Sequence, residues 1–413
     1  MIDYTKYTLD NGLTVILHKD DSTPLATINV LYKVGAKNED PARTGFAHLF
    51  EHLMFGGSQN IPDFDTPIQQ AGGDNNAFTN ADITNFYNIV PAENLETALW
   101  LESDRMMQLD FSQQSLDVQK KVVVEEFKET CINKPYGDMW HEMSNLAYTT
   151  HSYRWPTIGL VPEHISEAQL SEVKEFFNNY YKPSNAILVI AGKLDIPHTK
   201  TVIDQWFGPI KGGPIRFRDI PIEPTQKTAR QKILEQTVPS NAIYMGFHMP
   251  KRMHPDFIAY DLLSDIMSGG RSSRFYQNLV KGSSLFSSAN AYISGTIDPG
   301  LFIIEAKLLD GVSIDDAKSA IWDELNRTIK EAPEQSELQK VKNSMISGVE
   351  FSEVSINNKA INLAYYEMLG DVSLINKQVE EIESVTTEDI LRVAKETFTA
   401  ENCSEVIYKS TSS

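Results

Sequence analysis

Three neighbouring residues have the types and spacing for chemistry: His48, Glu51 and His52, within Gly45-Phe46-Ala47-His48-Leu49-Phe50-Glu51-His52-Leu53-Met54-Phe55-Gly56-Gly57. In a helix, residues three and four apart share a face, so the two imidazoles project together with the carboxylate beside them. Two ring nitrogens so placed can hold one Zn²⁺, and the carboxylate lies close enough to take a proton from a water at the ion. Leu49, Leu53, Met54 and Phe55 make the rest of the helix apolar and predict that it is buried, with Gly56-Gly57 as its C-cap. Two histidines and a glutamate in a buried helix cost free energy unless something pairs with them, and a metal does so.

A zinc site of this kind still lacks a third protein ligand. The stretch Asp117-Val118-Gln119-Lys120-Lys121-Val122-Val123-Val124-Glu125-Glu126-Phe127-Lys128-Glu129 reads as a helix despite its valines, because Gln119, Val122, Val123 and Glu126 form one stripe at helical period. Glu126 is the expected third ligand. Glu125, which points in a different direction, is the alternative. The expected cofactor is one Zn²⁺ per chain.

The elements around these residues are α and β in alternation. Strands are predicted at Leu13 to His18 and Leu25 to Val34, followed by the metal helix and a single extended run from Asn76 to about Val90. Helices follow at Ala92 to Met107, at the Glu126 stretch and at Ser166 to Tyr181, then a strand at Ala186 to Ala191 and a helix at His198 to Phe207. Residues 208–228, with Gly-Pro and Gly-Gly-Pro, read as a linker.

The second half repeats this order. It has strands at Lys232 to Gln236 and Ala242 to His248, a helix at Phe257 to Met267 closed by Gly269-Gly270, and a final helix and strand at Glu388 to Phe398 and Glu401 to Tyr408. Such self-similarity implies duplication of one α/β unit. Setting Gly56-Gly57 on Gly269-Gly270 (269 − 56 = 213) places Asp261, Ser264 and Asp265 opposite His48, Glu51 and His52, so the second copy has no histidine site. The expected fold class is α+β: two homologous α/β sandwich domains, each a mixed, mainly antiparallel sheet flanked by helices. The expected division is 1–210 for the metal-binding domain, 211–228 for the linker and 229–413 for the copy without a metal site.

A chain of 413 residues is long enough for two such domains. Its 41% hydrophobic and 23% charged content is ordinary for a globular protein. A net charge of −19 argues against non-specific nucleic-acid binding and favours basic or neutral substrates. No apolar run approaches the roughly 18 residues that cross a bilayer. The start, Met1-Ile2-Asp3-Tyr4-Thr5-Lys6, lacks a basic stretch leading into an apolar one. Cys131 and Cys403 alone make neither a disulfide framework nor a cysteine metal site. The expectation is a cytoplasmic protein, or a periplasmic one if a leader has been trimmed.

With H-x-x-E-H, a downstream glutamate and a duplicated unit in hand, the chain resembles the pitrilysin/insulinase family of zinc peptidases (inverzincins). It looks most like the short-chain branch that includes the mitochondrial processing peptidase. The likeness runs through Leu9-Asp10-Asn11-Gly12-Leu13, Gly72-Gly73, Asn76-Ala77-Phe78-Thr79, the segment from Tyr153 to Leu160, Tyr180-Tyr181-Lys182-Pro183-Ser184-Asn185 and Gly269-Gly270-Arg271-Ser272-Ser273-Arg274. It implies zinc on His48, His52 and Glu126, Glu51 as general base, and Asn76, Ala77 and Phe78 as an edge strand that pairs with an extended peptide substrate.

Two departures from the family pattern stand out. Gln119 occupies the place of a frequent second glutamate, where it can hydrogen-bond but carries no charge. Val280 and Ser287 occupy the places of an arginine and a tyrosine that active members use to hold substrate and oxyanion. The resemblance therefore implies a zinc-bearing subunit whose homologous partner supplies that pair, as a heterodimer, with a homodimer as the alternative. The two chains would form a clamshell around a closed chamber. The alternative is a catalytically silent subunit of the same fold.

Overall fold

The computed structural model describes residues 1–411. The chain forms two compact units. The first comprises Met1–Lys128, Trp155–Ile220 and Glu350–Lys377; the second comprises Glu129–Arg154, Pro221–Val349 and the chain from Gln378 onward. This departs from the sequential division at 1–210, 211–228 and 229–413, because residues 129–154 belong to the second unit and Glu350–Lys377 to the first.

The first unit's sheet shows why it takes a late segment. Its strands are β1 (Thr5–Thr8), β2 (Thr14–Lys19), β3 (Leu25–Tyr32), β4 (Asp74–Thr79), β5 (Thr84–Pro91) and β6 (Ala186–Gly192), ordered β1-β2-β6-β3-β5-β4. Only β2 and β6 run parallel; the other pairs are antiparallel. Along a strand successive side chains point to opposite faces, and here both faces are apolar. Val15, Leu17, Ile28, Val30, Leu188 and Ile190 enter one core. Ile16, Leu31, Ile187, Val189 and Ala191 enter another. The second core is closed by Ala360, Leu363 and Ala364 of helix Ile356–Met368. A sheet apolar on both sides must be covered on both sides, and the early helices cover only one.

The second unit's sheet has β7 (Arg230–Gln236), β8 (Ala242–His248), β9 (Phe286–Ile293), β10 (Leu301–Leu308) and β11 (Cys403–Ser410), ordered β7-β11-β8-β10-β9. The β7/β11 pair is parallel and the rest antiparallel. Strand for strand and direction for direction this is the order β2-β6-β3-β5-β4. The duplication is thus written in the topology, and both sheets are mixed, mainly antiparallel and flanked by helices.

The single extended run expected from Asn76 to Val90 is instead a hairpin of β4 and β5. Asn80 makes the turn: its Oδ1 accepts from the N–H groups of Asp82 (2.8 Å) and Ile83 (2.9 Å), a side-chain turn of the kind asparagine favours. The first four α-helices of the first unit are α1 (Phe46–Leu53), α2 (Asp65–Gln70), α3 (Leu95–Met107) and α4 (Gln113–Phe127), of which α1 and α4 carry the candidate site. The C-cap of α1 is Met54 rather than the glycine pair. Gly57 lies beyond it at φ +104, where a side chain would meet the Pro62 carbonyl. Among the described residues no helix is long and apolar enough to cross a membrane.

Candidate metal centre

The chain enters α1 through Gly45 at φ +88, a left-handed conformation, and a Cβ there would come within 2.8 Å of the Ile158 carbonyl. From that start α1 buries Phe46, Ala47, Leu49, Phe50 and Leu53. Phe50 stacks on Tyr181 with ring centroids 4.9 Å apart, which fixes the roll of the helix. The remaining stripe carries His48, Glu51 and His52, all half-buried.

Helix α4 begins at Ser112, whose hydroxyl oxygen accepts from the Ser115 N–H at 3.1 Å. It buries Leu116, Val123 and Phe127, and Leu116 and Val123 join Leu49 and Leu53 of α1 in one core. That packing turns Glu126 toward α1.

Glu126 then meets both histidines. Its Oε1 lies 3.7 Å from His48 Nε2 and its Oε2 lies 3.3 Å from His52 Nε2. The two rings are 4.9 Å apart and nearly perpendicular, and one ligand atom from each residue falls within 4.8 Å of the others. Around a tetrahedral ion with bonds of about 2.05 Å, neighbouring ligand atoms stand roughly 3.3 Å apart. The two imidazole–carboxylate spacings, 3.3 and 3.7 Å, are of that order. Burial pushes the His48 imidazole below its ordinary value, against the pull of Glu126. The hydrogen bond with His52 holds the Glu126 carboxyl below its own. A neutral ring and an ionised carboxylate are the forms that ligate a metal. The donor set is one that would fit a single zinc held by His48, His52 and Glu126.

Glu125 is exposed and ion-paired with Lys128 at 2.7 Å, so the structure brings Glu126, and not Glu125, to the histidines. Glu51 shares the stripe of the two histidines, and its charge acts on His48 and on Tyr181. Gln119 is half-buried seven residues before Glu126 on α4, its amide beside Gly56.

Strand β4, with Asn76, Ala77 and Phe78, is the terminal strand of its sheet and pairs with β5 alone. Ala77 packs against the core that α1 uses. Phe78 packs against the opposite core, under helix Ile356–Met368. The Ala77 N–H donates to Asn76 Oδ1 at 2.8 Å.

In the second unit Val280 packs against the core, and the Ser287 hydroxyl donates to the Lys307 carbonyl at 3.2 Å. Asp261 and Asp265 lie on helix Phe257–Ser268, which follows β8 as α1 follows β3. Burial and the neighbouring Asp265 push the Asp261 carboxyl up to about 6. Among the described residues, the group His48, His52 and Glu126 is the one whose ligand atoms converge as a metal requires.

Sequence reasoning missed Glu39. It is 1% exposed and accepts from two N–H groups at the start of α1. Its setting Lys37-Asn38-Glu39-Asp40 reads as a solvated polar run, and no periodicity singles it out.

Comparison with known proteins agrees with the site. The family model described as Insulinase (Peptidase family M16) matches residues 14–147, which hold both histidines, Glu51 and Glu126. A second model, described as Peptidase M16 inactive domain, matches residues 167–345. The chain belongs to peptidase family M16.

The second match includes Asp261 and Asp265, where the duplicated unit has no histidines. A zinc protease PqqE of Helicobacter pylori is 28% identical over 397 residues, 95% of this chain and 89% of that protein. An uncharacterized zinc protease, YmxG of Bacillus subtilis, is 25% identical and covers 95% of each chain. The crystal structure of a protease from Helicobacter pylori superposes with a TM-score of 0.92 at 28% identity, covering 99% of this chain and 100% of that one. A peptidase M16 inactive domain from Pseudomonas fluorescens shares the fold at a TM-score of 0.87 and 18% identity, over 99% of this chain and 98% of that one.

Proposed function

We propose that the chain is a zinc-dependent endopeptidase acting on peptides or unfolded segments, and that it works as the zinc-bearing member of a pair with a homologous subunit. The observation that carries this is the meeting of His48, His52 and Glu126 on a half-exposed face. The relatives named zinc proteases support it. His48, His52 and Glu126 would hold the ion. When bound, the zinc supplies a Lewis acid that polarises the scissile carbonyl and acidifies a nearby water. Glu51 takes the proton of the attacking water as its oxygen adds to the carbonyl carbon, and delivers that proton to the amine as the C–N bond breaks. Strand β4 offers its free edge to an extended substrate, whose main chain adds as a further strand without demanding a sequence. Gln119 tunes the site through hydrogen bonding from α4.

The pairing is argued from what the second unit lacks. An apolar Val280 and a Ser287 hydroxyl already engaged with Lys307 offer no donors for a developing oxyanion. A partner carrying an arginine and a tyrosine at those places would complete the reaction. The test is peptide hydrolysis by the chain alone and by the chain co-purified with whatever accompanies it in its native source. The expected result is weak cleavage alone and strong cleavage in the pair, abolished by a chelator and restored by zinc. Full activity of the chain alone would overturn the pairing. A zinc-loaded pair without hydrolysis would favour the silent-subunit reading.

A further inference from the structure

A metal-bound histidine usually donates its second ring nitrogen to a carboxylate, carbonyl or water, which fixes the orientation of the ring. Among the described residues His48 has no such partner: its buried Nδ1 meets no hydrogen-bonding group. The ring must then take its place from the backbone of α1, in whose first turn it stands. First-turn N–H groups find no acceptor within their own helix, and Gly45, at the cap position, has no side chain to offer.

Glu39 fills that role from outside the helix. Its Oε2 accepts from the Gly45 N–H and its Oε1 from the Ala47 N–H, both at 2.8 Å. A carboxylate at a helix N-terminus is also favoured by the helix dipole. Glu39 is itself held in place: Arg218 Nη1 donates to its carbonyl at 2.6 Å, and Trp155 Nε1 donates to the Ala36 carbonyl at 3.1 Å one short turn earlier.

We infer that Glu39 is a positioning residue for the metal centre, clamping the first turn of α1 on both sides of Phe46 and so setting where His48 presents its Nε2. This rests on the reading of His48 as a zinc ligand. Both carboxylate oxygens are engaged as acceptors, so an amide of the same size cannot replace it: the NH2 group of a glutamine would face an N–H. Burial pushes the Glu39 carboxyl up to about 8 despite those N–H donors. An amide relieves part of the desolvation cost but leaves a buried first-turn N–H without an acceptor, so Glu39→Gln is expected to lower stability modestly as well.

Zinc affinity set against stability separates positioning from plain structural support. Zinc affinity, measured by competition with a chromophoric chelator, and thermal unfolding of the zinc-free protein are compared between the wild-type chain and Glu39→Gln. The expected result is zinc binding weakened about 10- to 100-fold, the range set by lost outer contacts to a metal ligand, with the zinc-free protein still folded and its unfolding midpoint only modestly lowered. Glu39→Asp, which keeps the carboxyl but withdraws it by one methylene, gives the same loss and serves if the glutamine variant does not fold. A lowered midpoint with undiminished zinc affinity overturns the inference. A wild-type chain that binds no zinc overturns instead the site on which it rests.

Discussion

Glu51→Gln is expected to leave the chain folded and able to bind zinc, while peptide hydrolysis by the proposed pair falls by about 100- to 10,000-fold, the span over which a positioned proton-transfer group contributes. Glu51 lies on the same stripe of α1 as His48 and His52 but is not one of the three residues whose ligand atoms converge. The amide keeps the size of the side chain and its hydrogen bonding but cannot take up a proton at working pH. Hydrolysis and metal content measured on one preparation separate the roles. Zinc lost together with activity would make Glu51 a ligand, and undiminished activity would remove it as the base.

The second large effect is on the metal itself. Glu126→Ala is expected to lower zinc affinity by more than the roughly 100-fold that loss of an outer contact costs, because it removes one of the three proposed ligands. Glu125→Ala is expected to change it little, since that side chain turns outward to Lys128. The two residues are adjacent, alike in chemistry and on one helix, so the pair of variants controls for charge and helix propensity together. Equal losses from both would show that α4 is not turned as described.

What the sequence revealed follows from how local each feature is. The His48, Glu51 and His52 constellation depends only on helical periodicity within one turn, so it was legible without a fold. The choice between Glu125 and Glu126 depended on the roll of α4 about its axis. That roll is set by Leu116 and Val123 packing into a core built from distant strands, and the candidate stripe through Gln119 and Val123 only pointed toward it. The apolar pattern of helix Ile356–Met368 announces a buried face but not the sheet it covers, so the passage of that segment into the first unit was invisible. The Asn80 turn carried a short local signal, Asn80-Ala81-Asp82, that the longer extended pattern on either side outweighed, and one side chain decides the break. Glu39 was the least legible, because a buried acid whose partners are backbone N–H groups leaves no mark on side-chain pattern.

Crystals of the purified chain, grown without added metal and measured on either side of the zinc absorption edge, test the site most directly. One anomalous peak per chain, within bonding distance of His48 Nε2, His52 Nε2 and a Glu126 carboxylate oxygen, is the predicted result. No peak there, or a peak beside Asp261 and Asp265 instead, would contradict it.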